Sequence, residues 1–245
     1  MTKDFLFDVD NVKKGSFSFN ENVVDVFDDM LTRSVPCFDI IQSMIVTLCH
    51  RYAQTDGVIY DFGCSRALTL CKIMSSISDR ACHFIGLDNS EAMLKVASEK
   101  VTQLKCAHTF EFLPVDLNNY RDFNTSSVGV FNLVLQFLDL EARRELLQSF
   151  YKSLLPGGCI ILIEKTISKD PNLQQFYLEQ FRQYKQSNGY SLNEILMKEK
   201  ALDGVLTPLS PDDNKSLLSD VGFNIIDSFF QWYNFTGIVA VKESL

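Results

Sequence analysis

The chain has 245 residues, 46% of them hydrophobic, which is enough to fill one sizeable core. Its formal net charge of −8 argues against broad binding to a phosphate backbone, which needs a cationic footprint, so no direct nucleic-acid partner is expected. Seven cysteines without a CxxC pair fit neither a disulfide framework nor a structural zinc site, and His50, His83 and His108 have no ligand spacing, so no metal is expected. No stretch approaches the roughly 18 to 20 apolar residues of a membrane span, and the first residues lack an apolar leader. A cytoplasmic protein without a membrane partner is the expectation.

The chain opens with a segment whose Asn20 suits a helix cap, followed by an apolar stripe of Val23, Val26, Phe27 and Met30. Pro36 breaks that run, and a second helix starts near Asp39, with Ile40, Ile41, Met44, Ile45 and Leu48 at helical spacing. These helices read as a flank of a sheet or as a lid over its edge, and composition favours the flank.

The stretch after them organises the rest. Residues 58–62 form a short apolar run closed by Gly63, and a helix follows over about 67–76, giving strand, tight turn and helix. Such a turn delivers backbone N–H groups and a positive helix end to a ligand at the carboxyl edge of a parallel sheet. A second strand over 82–87 ends in Asp88-Asn89-Ser90-Glu91, where a carboxylate can grip both hydroxyls of a ribose. Capping of the helix over 91–103 by Asp88 or Ser90 is the alternative, and after a glycine turn the ligand reading leads. A third strand, 110–115, is followed by Asp116, placed either to meet an adenine edge or to form a turn. A fourth, 127–135, carries Asn132, a buried amide that must bond backbone or ligand; the ligand is favoured. A helix over 139–154 ends at Pro156-Gly157-Gly158, and a fifth strand runs over 159–164.

From Pro171 the pattern is helical only, over 173–187 and 193–202 with a break at Asn188-Gly189. Leu173, Phe176, Tyr177 and Phe181 give this insert an apolar face to cover the site or meet a second subunit. A helix over 213–221 and two strands, 224–232 and 237–242, close the chain as an antiparallel hairpin.

Five strand-helix units and a closing hairpin resemble the seven-stranded fold of class I S-adenosylmethionine-dependent methyltransferases. The likeness extends further. Arg33-Ser34-Val35-Pro36, Tyr60-Asp61-Phe62-Gly63-Cys64-Ser65, Asp88-Asn89-Ser90, Asn132 with Leu135-Gln136-Phe137-Leu138, Glu164-Lys165, Asn188-Gly189-Tyr190-Ser191 and Asn234-Phe235 together resemble the carboxy-S-adenosyl-L-methionine synthase family. That resemblance covers nearly the whole chain. It implies an α/β fold: a mostly parallel Rossmann-like sheet of seven strands with an antiparallel closing hairpin, N-terminal helices and a helical insert. It implies one class I domain over 1–245, with the N-terminal helical segment at 15–54 and the insert at 171–206.

The same resemblance implies a reaction in which S-adenosylmethionine gains a carboxylate on its methyl carbon while prephenate becomes phenylpyruvate. The sulfonium acidifies the methyl C–H bonds and stabilises an ylide able to attack carbon dioxide. The product, carboxy-S-adenosyl-L-methionine, would then serve a second enzyme that modifies wobble uridine of tRNA, so contact with RNA is indirect, and the enzyme would be a homodimer. By position, Gly63, Cys64 and Ser65 would hold the methionine end of the cofactor, Asp88 the ribose, Asp116 and Leu117 the adenine, and Asn132 the sulfonium side, with Asn89 a further cofactor-binding residue. No residue is assigned as the catalytic base.

Three positions depart from the family pattern. Phe38 stands where the family has a cofactor-binding tyrosine, and Glu199 where it has an arginine that binds the new carboxylate across a dimer interface. The turn after Cys64-Ser65 lacks a second glycine and is one residue shorter. Lys198 and Lys200 flank position 199 but are rotated by ~100° from it on a helix, and a solvated face is expected for both; Arg66 is expected to be solvated as well. The departures leave two alternatives beside the synthase: an ordinary small-molecule methyltransferase, or a silent S-adenosylmethionine-binding and dimerisation module.

Overall fold

The computed structural model describes residues 2–9, 11–18, 21–55 and 57–244; the expected cap Asn20 lies outside them. The strands are β1 Val58–Phe62, β2 His83–Asp88, β3 Thr109–Pro114, β4 Ser126–Asn132, β5 Leu154–Lys165, β6 Ile225–Trp232 and β7 Phe235–Val241. They form one sheet in the order β3-β2-β1-β4-β5-β7-β6. Neighbours from β3 to β5 pair parallel, and β7 runs antiparallel between β5 and β6. This is the expected Rossmann-like α/β architecture. Strand order reverses between β1 and β4, and ligands of open α/β sheets settle in the crevice at the carboxyl ends there.

The helices are α1 Glu21–Ser34, α2 Phe38–Tyr52, α3 Leu68–Ser76, α4 Glu91–Thr102, α5 Leu140–Ser153, α6 Pro171–Ser187, α7 Leu192–Leu202 and α8 Pro211–Val221. Central strands are buried on both faces, so they read as continuous apolar runs. On one face Ile59, Val128, Val130 and Ile161 pack under Ile41 and Ile45 of α2 and Ile73 of α3. On the other, Tyr60, Phe62 and Phe131 pack under Phe150 of α5 and Leu218 of α8, with Phe62 and Phe131 stacked at 3.9 Å between centroids. Asp61 is the one carboxylate within β1, and it is 2% exposed.

Three segments differ from expectation. β4 stops at Asn132 rather than 135: Leu133 turns into the left-handed region at φ 62°, and Leu135–Phe137 forms a single 3₁₀ turn. The apolar run simply continues through the turn because the turn is buried. Pro156-Gly157-Gly158 does not end a helix but lies within β5, where Gly157 (φ 75°) donates its N–H to the Lys242 carbonyl and Gly158 accepts from the Lys242 N–H.

The N-terminal helices are not a simple flank. The end of α1 is tied to the insert, with Arg33 Nε donating to the Asn188 carbonyl, Asn188 Nδ2 donating back to the Arg33 carbonyl, and the Arg33 guanidinium 3.8 Å from the Tyr190 ring centroid. α1, α6 and α7 thereby close over the carboxyl edge of the sheet. The insert divides its apolar face: Phe181 is buried over the sheet, whereas Leu173 and Phe176 stay exposed.

Candidate active site

The turn after β1 holds three left-handed residues in five, Gly63 (φ 65°), Ser65 (φ 48°) and Ala67 (φ 55°). Only the first is a glycine, so the shortened turn carries backbone strain of about 1–2 kcal/mol at each of the other two. Hydrogen bonds to β2 hold it: Cys64 N–H donates to the Leu87 carbonyl and Ser65 N–H to Asp88 Oδ2, both at 2.9 Å. Asp88 Oδ1 accepts from Ser90 N–H at 2.9 Å. Burial pushes the Asp88 carboxyl up, against the N–H groups of Ser90, Ser65 and Asn89 that pull it down. The helix cap is Ser90, whose Oγ accepts from Met93 N–H at 3.4 Å. A Cβ added to Gly63 would lie 2.6 Å from Val134 Cγ2. Gly63→Ala is therefore expected to lower stability by about 2 kcal/mol in urea titration, because strain and clash both fall on this one turn.

Beyond the turn opens a cavity of about 580 Å³, within the range of small-molecule sites. The structure brings all ten sequence-nominated residues to it: Phe38, Gly63, Cys64, Ser65, Asp88, Asn89, Asp116, Leu117, Asn132 and Glu199. Phe38 opens α2 and is buried, and Leu117, in the segment after β3, is buried as well. Asn132 ends β4 and its Nδ2 donates to Thr69 Oγ1 at 3.3 Å. Asp116 is exposed and makes the turn of the alternative reading, with Oδ1 accepting from Asn118 N–H at 2.9 Å and Oδ2 from Asn119 Nδ2 at 3.2 Å. Asp61 also lines the cavity, and its buried Oδ2 has no hydrogen-bond partner. Burial, with the neighbouring Asp88 charge second, pushes the Asp61 carboxyl up to about 8.

Three lysines line the same cavity and stand near one another, two of them against the Phe181 ring. Lys165 at the end of β5, Lys185 of α6 and Lys198 of α7 all line the cavity, and Lys198 is buried rather than solvated as expected; Lys200 is exposed. Arg66 is not free in solvent either, since its Nη1 lies 3.4 Å from Asp28 Oδ2 of α1, which Lys100 also reaches at 3.2 Å. Glu199 lines this chain's own cavity and is gripped by Arg182, which donates through Nε at 3.1 Å and Nη2 at 2.7 Å. A guanidinium of this chain thus neutralises Glu199.

Sequence reasoning missed Lys165 and Lys185 because a charge argues for solvent. The signal was present. Lys185 lies four residues after Phe181 on the buried stripe of α6, and Lys198 lies three after the buried Ile195 on α7. Among the described residues no cluster of His, Cys, Asp and Glu suits a metal ion, and no helix is long and apolar enough to cross a membrane.

Residues 59–158 match the family described as Methyltransferase domain. A carboxy-S-adenosyl-L-methionine synthase of Methylococcus capsulatus is 35% identical over 242 residues, covering 99% of this chain and 100% of that protein. One of Desulfotalea psychrophila is 36% identical and covers 92% of each chain. Among solved structures, human N-acetylserotonin methyltransferase in complex with SAM matches with a TM-score of 0.59 at 15% identity, over 90% of this chain and 55% of that one. That last likeness is one of fold alone. A likeness to the synthases at this level over the whole length settles membership: the chain belongs to the carboxy-S-adenosyl-L-methionine synthase family, S-adenosylmethionine-dependent transferases on the class I methyltransferase fold.

Proposed function

We propose that the protein converts S-adenosylmethionine and prephenate to carboxy-S-adenosylmethionine and phenylpyruvate, and that the product feeds modification of wobble uridine in tRNA. The observation that carries this reading is the extent of the likeness, which covers 99% of the chain and so includes α1, the insert and the hairpin, well beyond the methyltransferase region at 59–158. The residues present suit the cofactor, because Asp61 offers a buried acceptor oxygen without a partner to a cation in the cavity. When bound, S-adenosylmethionine supplies an acidified methyl carbon as the acceptor of the carboxyl group.

In this reading Gly63, Cys64 and Ser65 hold the methionine end, Asp88 the ribose, Asp116 and Leu117 the adenine, with Asn89 and Phe38 against the cofactor and Asn132 beside the sulfonium. Asp88 already carries two N–H donors at 2.9 Å, so its position is fixed before any ligand arrives. The helices α1, α6 and α7 exclude water from the edge of the sheet, which strengthens each charge interaction inside. Prephenate loses its ring carboxyl and its hydroxyl as the ring aromatises; the leaving hydroxide and the proton lost from the methyl carbon together make water, so no protein base is required by the balance.

The proposed setting is a cytoplasmic homodimer without direct RNA contact. Seven free cysteines, the exposed Leu173 and Phe176, and a net charge of −8 support those three points respectively. The test is incubation of the purified protein with S-adenosylmethionine and prephenate, with mass spectrometry of both products. Carboxy-S-adenosylmethionine and phenylpyruvate in equal amounts are expected. Phenylpyruvate without the carboxylated cofactor, or methyl transfer in its place, would overturn the reading.

A further inference from the structure

The three lysines of the cavity come from three elements and converge on one wall. Lys185 and Lys198 are 4% and 9% exposed. Their partners are too few. Glu199 is held in a fork by Arg182 and reaches Lys185 Nζ only at 3.7 Å. Lys198 Nζ lies 3.9 Å from Asp4 Oδ2 of the N-terminal segment and 3.4 Å from Ser34 Oγ of α1. Lys165 Nζ sits 4.9 Å from the Phe181 ring centroid and Lys185 Nζ 4.4 Å from the same centroid; the Lys165 ammonium makes no hydrogen bond or ion pair among the described residues and feels Glu199 only through space.

With Lys198 matched to Asp4, the three cations Arg182, Lys185 and Lys165 share the single carboxylate Glu199, which Arg182 holds closest, so two positive charges are left over. Buried cations lacking anions are costly, and a wall of them in a low-dielectric cavity is a field waiting for negative charge. We propose that Lys165, Lys185 and Lys198 form an anion subsite that takes a small dianion, a dicarboxylate, beside the cofactor half of the cavity, and that Glu199, drawn aside by Arg182, weakens its grip. The subsite rests on the proposed reaction for the identity of its ligand, since prephenate is a dicarboxylate. Two uncompensated charges match a dianion, and lysines act as point charges that accept separated carboxylates as readily as one compact group.

The proton balance follows from the same wall. Burial pushes Lys185 down to about 7 and Lys198 to about 8; Lys165, Lys198 and Arg182 add to the first shift against Glu199, and Arg33 and Lys165 add to the second against Asp4. An anion among them restores their protons, so binding at pH 8 takes up protons from buffer.

Calorimetry of the full chain saturated with S-adenosylhomocysteine, titrated with prephenate, phenylpyruvate and inorganic phosphate in buffers of different ionisation enthalpy, tests this. Prephenate is expected to bind tightest, with proton uptake at pH 8. Lys185→Met is expected to weaken prephenate by about tenfold or more and reduce the uptake, Glu199→Gln to tighten it by about threefold, and Lys200→Met, on the exposed face, to leave it alone. Methionine keeps the apolar stem and removes a desolvated charge, and Glu199→Gln acts in the opposite direction, so a fold defect cannot imitate the pattern. Phosphate binding as tightly as prephenate would overturn the dicarboxylate assignment, and unchanged affinity in both Lys185→Met and Glu199→Gln would overturn the subsite. If the binding pattern holds but no carboxylated cofactor forms, the subsite stands and the reaction falls; if the carboxylated cofactor forms while both variants bind like the native chain, the reaction stands and the subsite falls.

Discussion

Asp61→Asn is expected to weaken S-adenosylmethionine binding by about 10- to 100-fold and to flatten its dependence on pH, with no loss of stability. The carboxylate lies 2% exposed in the middle of the sheet's edge, lines the cavity, and leaves Oδ2 without a partner. A charge-assisted hydrogen bond from a cationic ligand in such a place is worth about 1.5–3 kcal/mol, which sets the expected loss. The sign of the pH effect comes from the carboxyl being pushed up to about 8, first by burial and then by Asp88. Below that pH the ligand-free site holds a proton that a bound cation displaces, so affinity rises with pH and levels off above about 8. Asparagine cannot ionise, and the slope disappears. The same group makes the ligand-free protein less stable as pH climbs from about 3.8 to about 8, because the folded state then holds a proton the unfolded chain has lost. Removing it removes that decline. Calorimetry at pH 6, 7, 8 and 9 beside thermal melts over the same range reads both effects; an asparagine variant with native affinity and native pH slope would take Asp61 out of the site.

How much of this could be read without coordinates depended on what each residue type announces. Runs of β-branched and aromatic residues announce buried parallel strands, and β1 to β3, β6 and β7 were legible to within two residues. Turn signals are local and ambiguous by comparison. Pro156-Gly157-Gly158 ends helices often enough to be read that way, yet here the helix has already ended at Ser153 and the glycines bend a strand against Lys242. The apolar run through Val134 and Leu135 hides the end of β4, because one buried carboxylate takes the N–H groups of Val134, Leu135 and Gln136 and backbone carbonyls take those of Leu133, Phe137 and Leu138, so the turn's backbone is satisfied without a capping side chain of its own. Acidic residues beside a glycine turn were legible as a site because their positions follow the strand ends. The lysines were not. A lysine in sequence reads as solvent-facing, and only the closure of α1, α6 and α7 over the sheet puts Lys165, Lys185 and Lys198 inside. Glu199 in isolation implies repulsion of an anion; its pairing with Arg182, seventeen residues earlier on another helix, is a tertiary fact.

Glu164→Ala is expected to be the most damaging single change in the chain, lowering unfolding free energy by about 3–5 kcal/mol. Glu164 is 3% exposed near the end of β5, and its carboxylate accepts three backbone N–H groups: Val134 at 3.1 Å and Leu135 at 2.8 Å through Oε1, and Gln136 at 3.1 Å through Oε2. Alanine leaves all three donors buried with no acceptor, a cost of about 1–3 kcal/mol each before relaxation. Relaxation is restricted, because Leu133 is already in the left-handed region and the Gln136 carbonyl is engaged by Thr207 N–H at 2.9 Å. The buried Arg143 loses the nearby Glu164 carboxyl, which burial pushes up to about 8, but keeps Asp139 and its hydrogen bonds to the Leu138 and Thr207 carbonyls. Val134, Gln136 and Phe137 line the cavity, so the same change loosens the site's wall and raises the dissociation constant for S-adenosylmethionine. Glu164→Gln keeps one acceptor oxygen and turns an amide NH₂ toward the donors, so about half of the loss is expected to return. Urea titration of both variants, with calorimetry on whatever remains folded, gives the order native, glutamine, alanine for stability and for binding alike. Equal stability of the native and alanine chains would mean that the 3₁₀ turn holds itself, and that Glu164 is fixed in place by the turn rather than the turn by Glu164.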